Sequence, residues 1–276
     1  MKISNWLMFA MLIACQSAGA APEHSPWPGG IGYVEIDGNE SRPTVTVNDR
    51  PALVIQSDGM WMAVIGIPLD QDPATPMVAR ISRTGHADKT IEIPLQDADY
   101  RVQHLTVDKK YVDPGKEALD RIFAERDVID SALNNWRAES LNSVELLPPV
   151  PGNRSTSFGS RRVFNDQPRS PHKGMDISGS SGTPINAPLN GLVTATGDYY
   201  FNGNTVIVDH GQGLISLYCH LSEIDVEEGQ SVESGELLGK VGATGRVTGP
   251  HLHWEIWVGG VQVDPLDWLE QFLPDE

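Results

Sequence analysis

Four histidines and one aspartate in the carboxy-terminal half of the chain have the types and spacing to build a metal centre. His172 and Asp176 stand four residues apart in Pro171-His172-Lys173-Gly174-Met175-Asp176. The proline and glycine argue against a helix, so a loop entering a strand must span that separation. Such a segment can present an imidazole and a carboxylate to one point. His251-Leu252-His253 leads into the strongly β-forming run Trp254-Glu255-Ile256-Trp257-Val258. That pattern predicts that His251 and His253 project from the same face of one strand. His220 closes the apolar run Leu214-Ile215-Ser216-Leu217-Tyr218-Cys219 and adds a third strand-borne imidazole.

Two neutral imidazoles and a carboxylate leave a tetrahedral zinc with one open position, as catalysis requires. A closed structural site would want a fourth protein ligand, usually cysteine. Zinc in an open site polarises a carbonyl and lowers the pKa of a water. Histidines beyond the ligand set can accept that water's proton and stabilise an oxyanion. His210, in Asp209-His210-Gly211, reads as a turn residue with a structural role. His24, His86 and His104 are scattered and read as surface or packing residues. Cys219 reads as a small buried hydrophobe, with a catalytic thiol as the competing reading.

These side chains need strands to hold them. The chain has 276 residues, enough for one large domain or two modest ones. Its 27 glycines and 20 prolines predict many turns, hence short strands rather than a helical bundle. Asn190-Gly191, Asn202-Gly203 and Gly259-Gly260 are turn signals between apolar runs, so residues 148–270 read as an antiparallel β domain. Leu147-Pro148-Pro149-Val150-Pro151-Gly152 is a stiff boundary before it. Residues 27–108 read as a small β-sandwich: a hairpin over 44–55, then strands at 61–67, 77–82, 91–95 and 101–107. Between the two, residues 113–141 read as a connecting helix. Asp113 would cap it, Pro114 would start it, and Leu119, Ile122, Phe123, Ile129, Leu133 and Trp136 would share its apolar face. The expected fold class is mainly β.

Charge and the amino terminus bound the setting. With 37 acidic against 20 basic residues the net charge is −17, which repels phosphate backbones and anionic membranes. Lys2, the apolar run from Trp6 to Ala14 and the A-x-A site Ala18-Gly19-Ala20 read as a signal peptide over residues 1–20. Leu12-Ile13-Ala14-Cys15 also resembles a bacterial lipobox, which would make a lipidated Cys15 the first mature residue. Cleavage after Ala20 is the preferred reading, and either route exports the chain. No later stretch approaches the roughly 20 apolar residues of a membrane-spanning helix.

The segments around His172, Tyr218-Cys219-His220-Leu221 and Gly249-Pro250-His251-Leu252-His253-Trp254 resemble those of the M23 (LytM/lysostaphin-like) zinc metallopeptidases. The resemblance runs over about residues 150–265 and includes Ala187-Pro188-Leu189-Asn190-Gly191 and Val226-Glu227-Glu228-Gly229-Gln230. It implies one zinc per chain bound by His172, Asp176 and His253, with His220 and His251 acting on the water and the transition state. Cys219 departs from the pattern, since an alanine is common there. The sandwich and helix also resemble the amino-terminal region of some exported bacterial members. The family resemblance implies a metalloendopeptidase acting on the peptide cross-links of bacterial peptidoglycan. The absence of a recognisable wall-targeting repeat favours D-alanyl–diaminopimelyl links in a Gram-negative periplasm. The lipobox reading would add a lipid anchor at Cys15 and an outer-membrane tether. Some relatives have lost zinc ligands and activate cell-wall amidases, but none of the five expected side chains is missing here. A pure binding module is a third class: Gly229-Gln230-Ser231-Val232-Glu233-Ser234-Gly235 resembles the glycine turns of biotinyl or lipoyl carriers, without their lysine.

Overall fold

Alternating apolar residues build the amino-terminal part as two facing sheets. The computed structural model describes residues 24–38, 41–57, 59–106, 111, 113–141, 144–155 and 157–269. The signal-peptide and lipobox readings lie outside the described residues. Seven strands come first: β1 (Ile31–Ile36), β2 (Thr44–Val47), β3 (Arg50–Pro51), β4 (Leu53–Ser57), β5 (Met60–Gly66), β6 (Met77–Ser82) and β7 (Lys89–Ile93). One sheet has the order β1-β5-β4 and the other β3-β2-β6-β7. Val34, Val45, Val54, Ala63, Ile65, Ala79 and Ile81 fill the space between them. This is the expected sandwich over β1–β7, with a local correction in its hairpin. The predicted 44–55 hairpin is closed by β2 and β3 alone, through Asn48 and Asp49 at positive φ. After Ala52 the chain crosses to the other sheet, where β4 pairs with β5.

The strand expected at 101–107 forms as β8 (Val102–Leu105), but in a different sheet. It pairs in parallel with β9 (Arg161–Phe164), which forms a hairpin with β10 (Gln167–Arg169). The helix is also shorter than expected: α1 spans Lys116–Leu133, 18 residues, with Gly115 rather than Asp113 at its N-cap. Gly115 is extended (ψ 170°), so Pro114 lies outside the helix, and Asn134 ends it before Trp136. Leu133 is buried and Ile129 packs beside it, while Leu119 and Phe123 remain exposed. The predicted apolar face is therefore only partly used.

Among the described residues, nine strands then form one sheet. They are β11 (Met175–Ser178), β12 (Pro184–Asn186), β13 (Gly191–Tyr199), β14 (Gly203–Gly211), β15 (Leu214–Ile224), β16 (Ser231–Val232), β17 (Leu237–Val241), β18 (His251–Val258) and β19 (Val261–Val263). The path is β11-β18-β15-β14-β13-β16, all antiparallel, with β12, β17 and β19 joined at its margins. A short helix, α2 (Pro265–Leu269), follows.

The two faces of this sheet bury different things. On one, Leu252, Trp254 and Ile256 share a core with Tyr218, Met175, Ile177 and the amino-terminal Ile31, Leu53 and Val64. The two halves are thus joined by apolar packing, and the Gln212 side chain adds a hydrogen bond from the Val54 amide at 3.1 Å. The other face carries Ile207, Ile215, Leu217 and Cys219, onto which the end of α1 packs. Beyond that end, Arg137 and Asn135 donate to the fully buried Asp209 carboxylate at 2.9 and 2.7 Å. That pairing compensates the burial of the charge.

Candidate metal centre

Strand β18 carries the site because of its strict alternation. Leu252, Trp254, Ile256 and Val258 are buried, while His251, His253, Glu255 and Trp257 occupy the opposite face. Strand β11 lies beside it with Asp176 directly opposite His253. The loop before β11 brings in His172, which is almost wholly buried. Three atoms converge there. His172 Nε2 lies 3.0 Å from His253 Nδ1, and Asp176 Oδ1 lies 3.2 and 2.9 Å from those two nitrogens.

His220 reaches the same place by a distortion. Cys219 is the β15 residue opposite His253, so ordinary alternation would turn His220 to the other side of the sheet. Instead His220 has φ +69°, the left-handed region, beside register shifts in the pairings of β15 with β14 and with β17. Such bulges re-aim a side chain. Its ring centroid then lies 5.1 Å from His251 and 6.0 Å from His253. All five residues singled out in the sequence are therefore neighbours. His210 is elsewhere: it lies buried in β14 rather than in a turn, bonded to the Asn190 carbonyl and Ser216. Cys219 is buried, and burial first of all raises its thiol well above the ordinary range, which suits packing and not nucleophilic attack.

The hydrogen bonds assign protons. A carbonyl can only accept, so His220 donates through Nδ1 to Thr244 O and His251 through Nδ1 to Gly249 O, each at 2.9 Å. Each neutral ring then keeps an unprotonated Nε2. Burial, reinforced by His253 and His251, lowers the His220 pKa to about 3. Burial likewise lowers that of His172. For Asp176 burial alone would favour the neutral acid, but hydrogen bonds from His172 and His253 outweigh it and hold the carboxyl far below its usual range. Burial would lower His253 too, yet the carboxylates of Asp176 and Glu255 on either side raise it to about 9. In this arrangement a proton on His253 sits where a cation would be held.

Two supporting groups escaped the sequence reading. Ser157 Oγ lies 2.8 Å from His172 Nδ1, and Ser155 links Ser157 to the backbone amide of Asp176. Glu255 Oε1 lies 3.0 Å from His253 Nε2. Glu255 had a signal, being two residues beyond His253 on the same strand face; the serines had none.

The possible ligand atoms of His172, Asp176 and His253 all lie within 4.8 Å of one another, and each histidine has a partner on its remote nitrogen. This donor set fits a divalent cation with an open coordination position. Fold and site together define a β-sheet protein with a histidine–aspartate cluster of the kind that could hold a metal ion. The chain belongs to peptidase family M23: the family's model matches residues 170–265, and the model of the M23 amino-terminal domain matches residues 24–94. A Pseudomonas aeruginosa crystal structure assigned by its name to peptidase M23 is 36% identical with a TM-score of 0.74, covering 90% of this chain and 97% of that one. Peptidoglycan DD-endopeptidase ShyA of Vibrio cholerae is 36% identical over 163 residues, 59% of this chain and 34% of ShyA. DD-carboxypeptidase/endopeptidase Mpg of Neisseria meningitidis is 43% identical over 95 residues, 34% of this chain and 22% of Mpg. The match thus spans about a third or less of each of these two curated relatives.

Proposed function

We propose that this protein is a zinc-dependent endopeptidase that hydrolyses the peptide cross-links of bacterial peptidoglycan, with D,D specificity. The observation that carries the reading is the convergence of His172 Nε2, Asp176 Oδ1 and His253 Nδ1 beside two further imidazoles. His172, Asp176 and His253 hold the metal, one zinc per chain. The metal supplies Lewis acidity, polarising the scissile carbonyl and acidifying a water. The chain's own residues do the rest. His220 and His251 have Nε2 unprotonated and Nδ1 anchored on backbone carbonyls, so one of the two takes the water's proton while the other accepts a hydrogen bond from the same water. The Nε2–H so formed hydrogen-bonds the developing oxyanion and then passes its proton to the leaving amine nitrogen as the C–N bond breaks. Thr244 and Gly249 keep both rings turned for this work.

The D,D assignment is supported by ShyA and Mpg, which are named for DD-endopeptidase and DD-carboxypeptidase/endopeptidase activities. A peptidoglycan substrate requires export, for which residues 1–20 supply the signal, with periplasmic release after Ala20 or a lipid tether at Cys15. No helix among the described residues is long and apolar enough to cross a membrane. The test is digestion of purified cross-linked peptidoglycan by the zinc-loaded mature chain, with mass spectrometry of the fragments. Conversion of cross-linked dimers to monomers is expected. Intact dimers after prolonged digestion would overturn the endopeptidase reading and favour the amidase-activator class.

A further inference from the structure

Glu255 is a largely buried carboxylate (side-chain exposure 13%) placed behind the metal centre, on the far side of His253 from Asp176. Its two oxygens are used differently. Oε1 accepts a hydrogen bond from His253 Nε2–H at 3.0 Å. Oε2 accepts two donors, Trp257 Nε1 at 2.9 Å and Gln262 Nε2 at 2.7 Å. Trp257 and Gln262 are a directly opposed pair in the β18–β19 ladder, and Trp257 packs against the core on that face. The carboxylate is therefore clamped on one side and offered to His253 on the other.

We propose that Glu255 is a positioning residue that holds His253 in the only tautomer able to bind a metal through Nδ1. The inference rests on the reading of His172, Asp176 and His253 as ligands. A carboxylate has no proton to give, so it keeps the ring proton on Nε2 and leaves the Nδ1 lone pair for the cation. Outer carboxylates of this kind fix ring orientation and raise ligand basicity. The two donors on Oε2 make the requirement strict. A side-chain amide at residue 255 would turn its oxygen toward Trp257 and Gln262 and its NH2 toward His253. That NH2 needs an unprotonated Nε2, which moves the ring proton to Nδ1 and closes the metal position. A buried anion that merely balanced charge would not discriminate between the two ring nitrogens.

The test uses the full mature chain with zinc and cobalt as probes. Zinc affinity is measured by competition with a chromophoric chelator for the wild type, Glu255→Gln and Gln262→Ala. The visible spectrum of the Co²⁺-loaded forms reports ligand geometry, and circular dichroism reports folding. Glu255→Gln is expected to weaken zinc binding by about 10–100-fold and to alter the cobalt spectrum. Gln262→Ala, which frees one side of the clamp, is expected to move both in the same direction by less. Zinc affinity within twofold of wild type together with an unchanged cobalt spectrum in Glu255→Gln overturns the proposal. If that variant does not fold, unchanged affinity and spectrum in Gln262→Ala overturn it. A wild-type chain that binds no zinc is a separate result: it removes the ligand reading itself, and the proposal with it.

Discussion

Gly174 passes so close beneath His253 that a Cβ at residue 174 would stand 2.7 Å from Cε1 of the imidazole and 2.6 Å from the Trp254 carbonyl oxygen. The loop that carries His172 toward Asp176 is thus pressed directly against strand β18. Gly174→Ala forces either the loop or the ring to move, and the neighbouring backbone oxygen leaves little room. The expected cost is about 1–3 kcal/mol, as for overpacking elsewhere, together with weaker zinc binding. Thermal unfolding and chelator competition check this. A variant with wild-type midpoint and affinity would show that the contact is not restrictive.

His253→Ala and Asp176→Ala are expected to lose zinc and activity while keeping the fold. The histidine face of β18 lies opposite its core-forming face, so neither change opens a cavity in the main core. Elemental analysis of the purified variants, alongside circular dichroism, decides the point. Stoichiometric zinc in either variant would remove it from the ligand set.

His220→Ala and His251→Ala should give the opposite signature. Their Nε2 atoms are assigned to the reacting water and oxyanion, so zinc should remain while turnover falls by about 10²–10⁴-fold. Paired measurements of metal content and turnover of a cross-linked muropeptide dimer test the division of roles. Loss of zinc from both variants would make these histidines ligands.

The metal-free protein should lose stability as the pH falls from about 6.5 to 4, with His210 as one cause. Burial lowers the pKa of this histidine to about 4 from the ordinary 6.5. The unfolded chain therefore binds a proton in that window that the folded chain refuses. The neutral-state contribution is fully present above pH 6.5 and is lost progressively toward pH 4. At ~1.4 kcal/mol per pKa unit, the shift corresponds to about 3 kcal/mol. Urea unfolding of the metal-free chain at a series of pH values should show this slope, and His210→Gln should flatten it. An identical slope in the variant would assign the acid sensitivity elsewhere.

Much of the site was legible because strand alternation is a local property. The order His251-Leu252-His253-Trp254 places both histidines on one face whatever surrounds them, and the same count places Glu255 there as well. Proline and glycine around His172 marked a loop entering a strand, and β11 begins at Met175. The sandwich was readable for the same reason, through the spacing of its short strands and turns.

The sequence by itself determined which residues alternate, where the chain turns, and that histidines and an aspartate of ligand type stand near strands. Tertiary structure decided which strands became neighbours and which ring nitrogen each partner claimed. β4 leaves its predicted hairpin for β5, and β8 leaves the amino-terminal sheets for β9, because backbone donors are satisfied by whichever edge the packed core brings near. His220 breaks alternation through a positive φ that only the bulged pairings of β15 reveal. Asp176 stands opposite His253 although 77 residues separate them in the chain. Periodicity extends only along a strand, whereas hydrogen-bond partners and burial are chosen across the whole molecule.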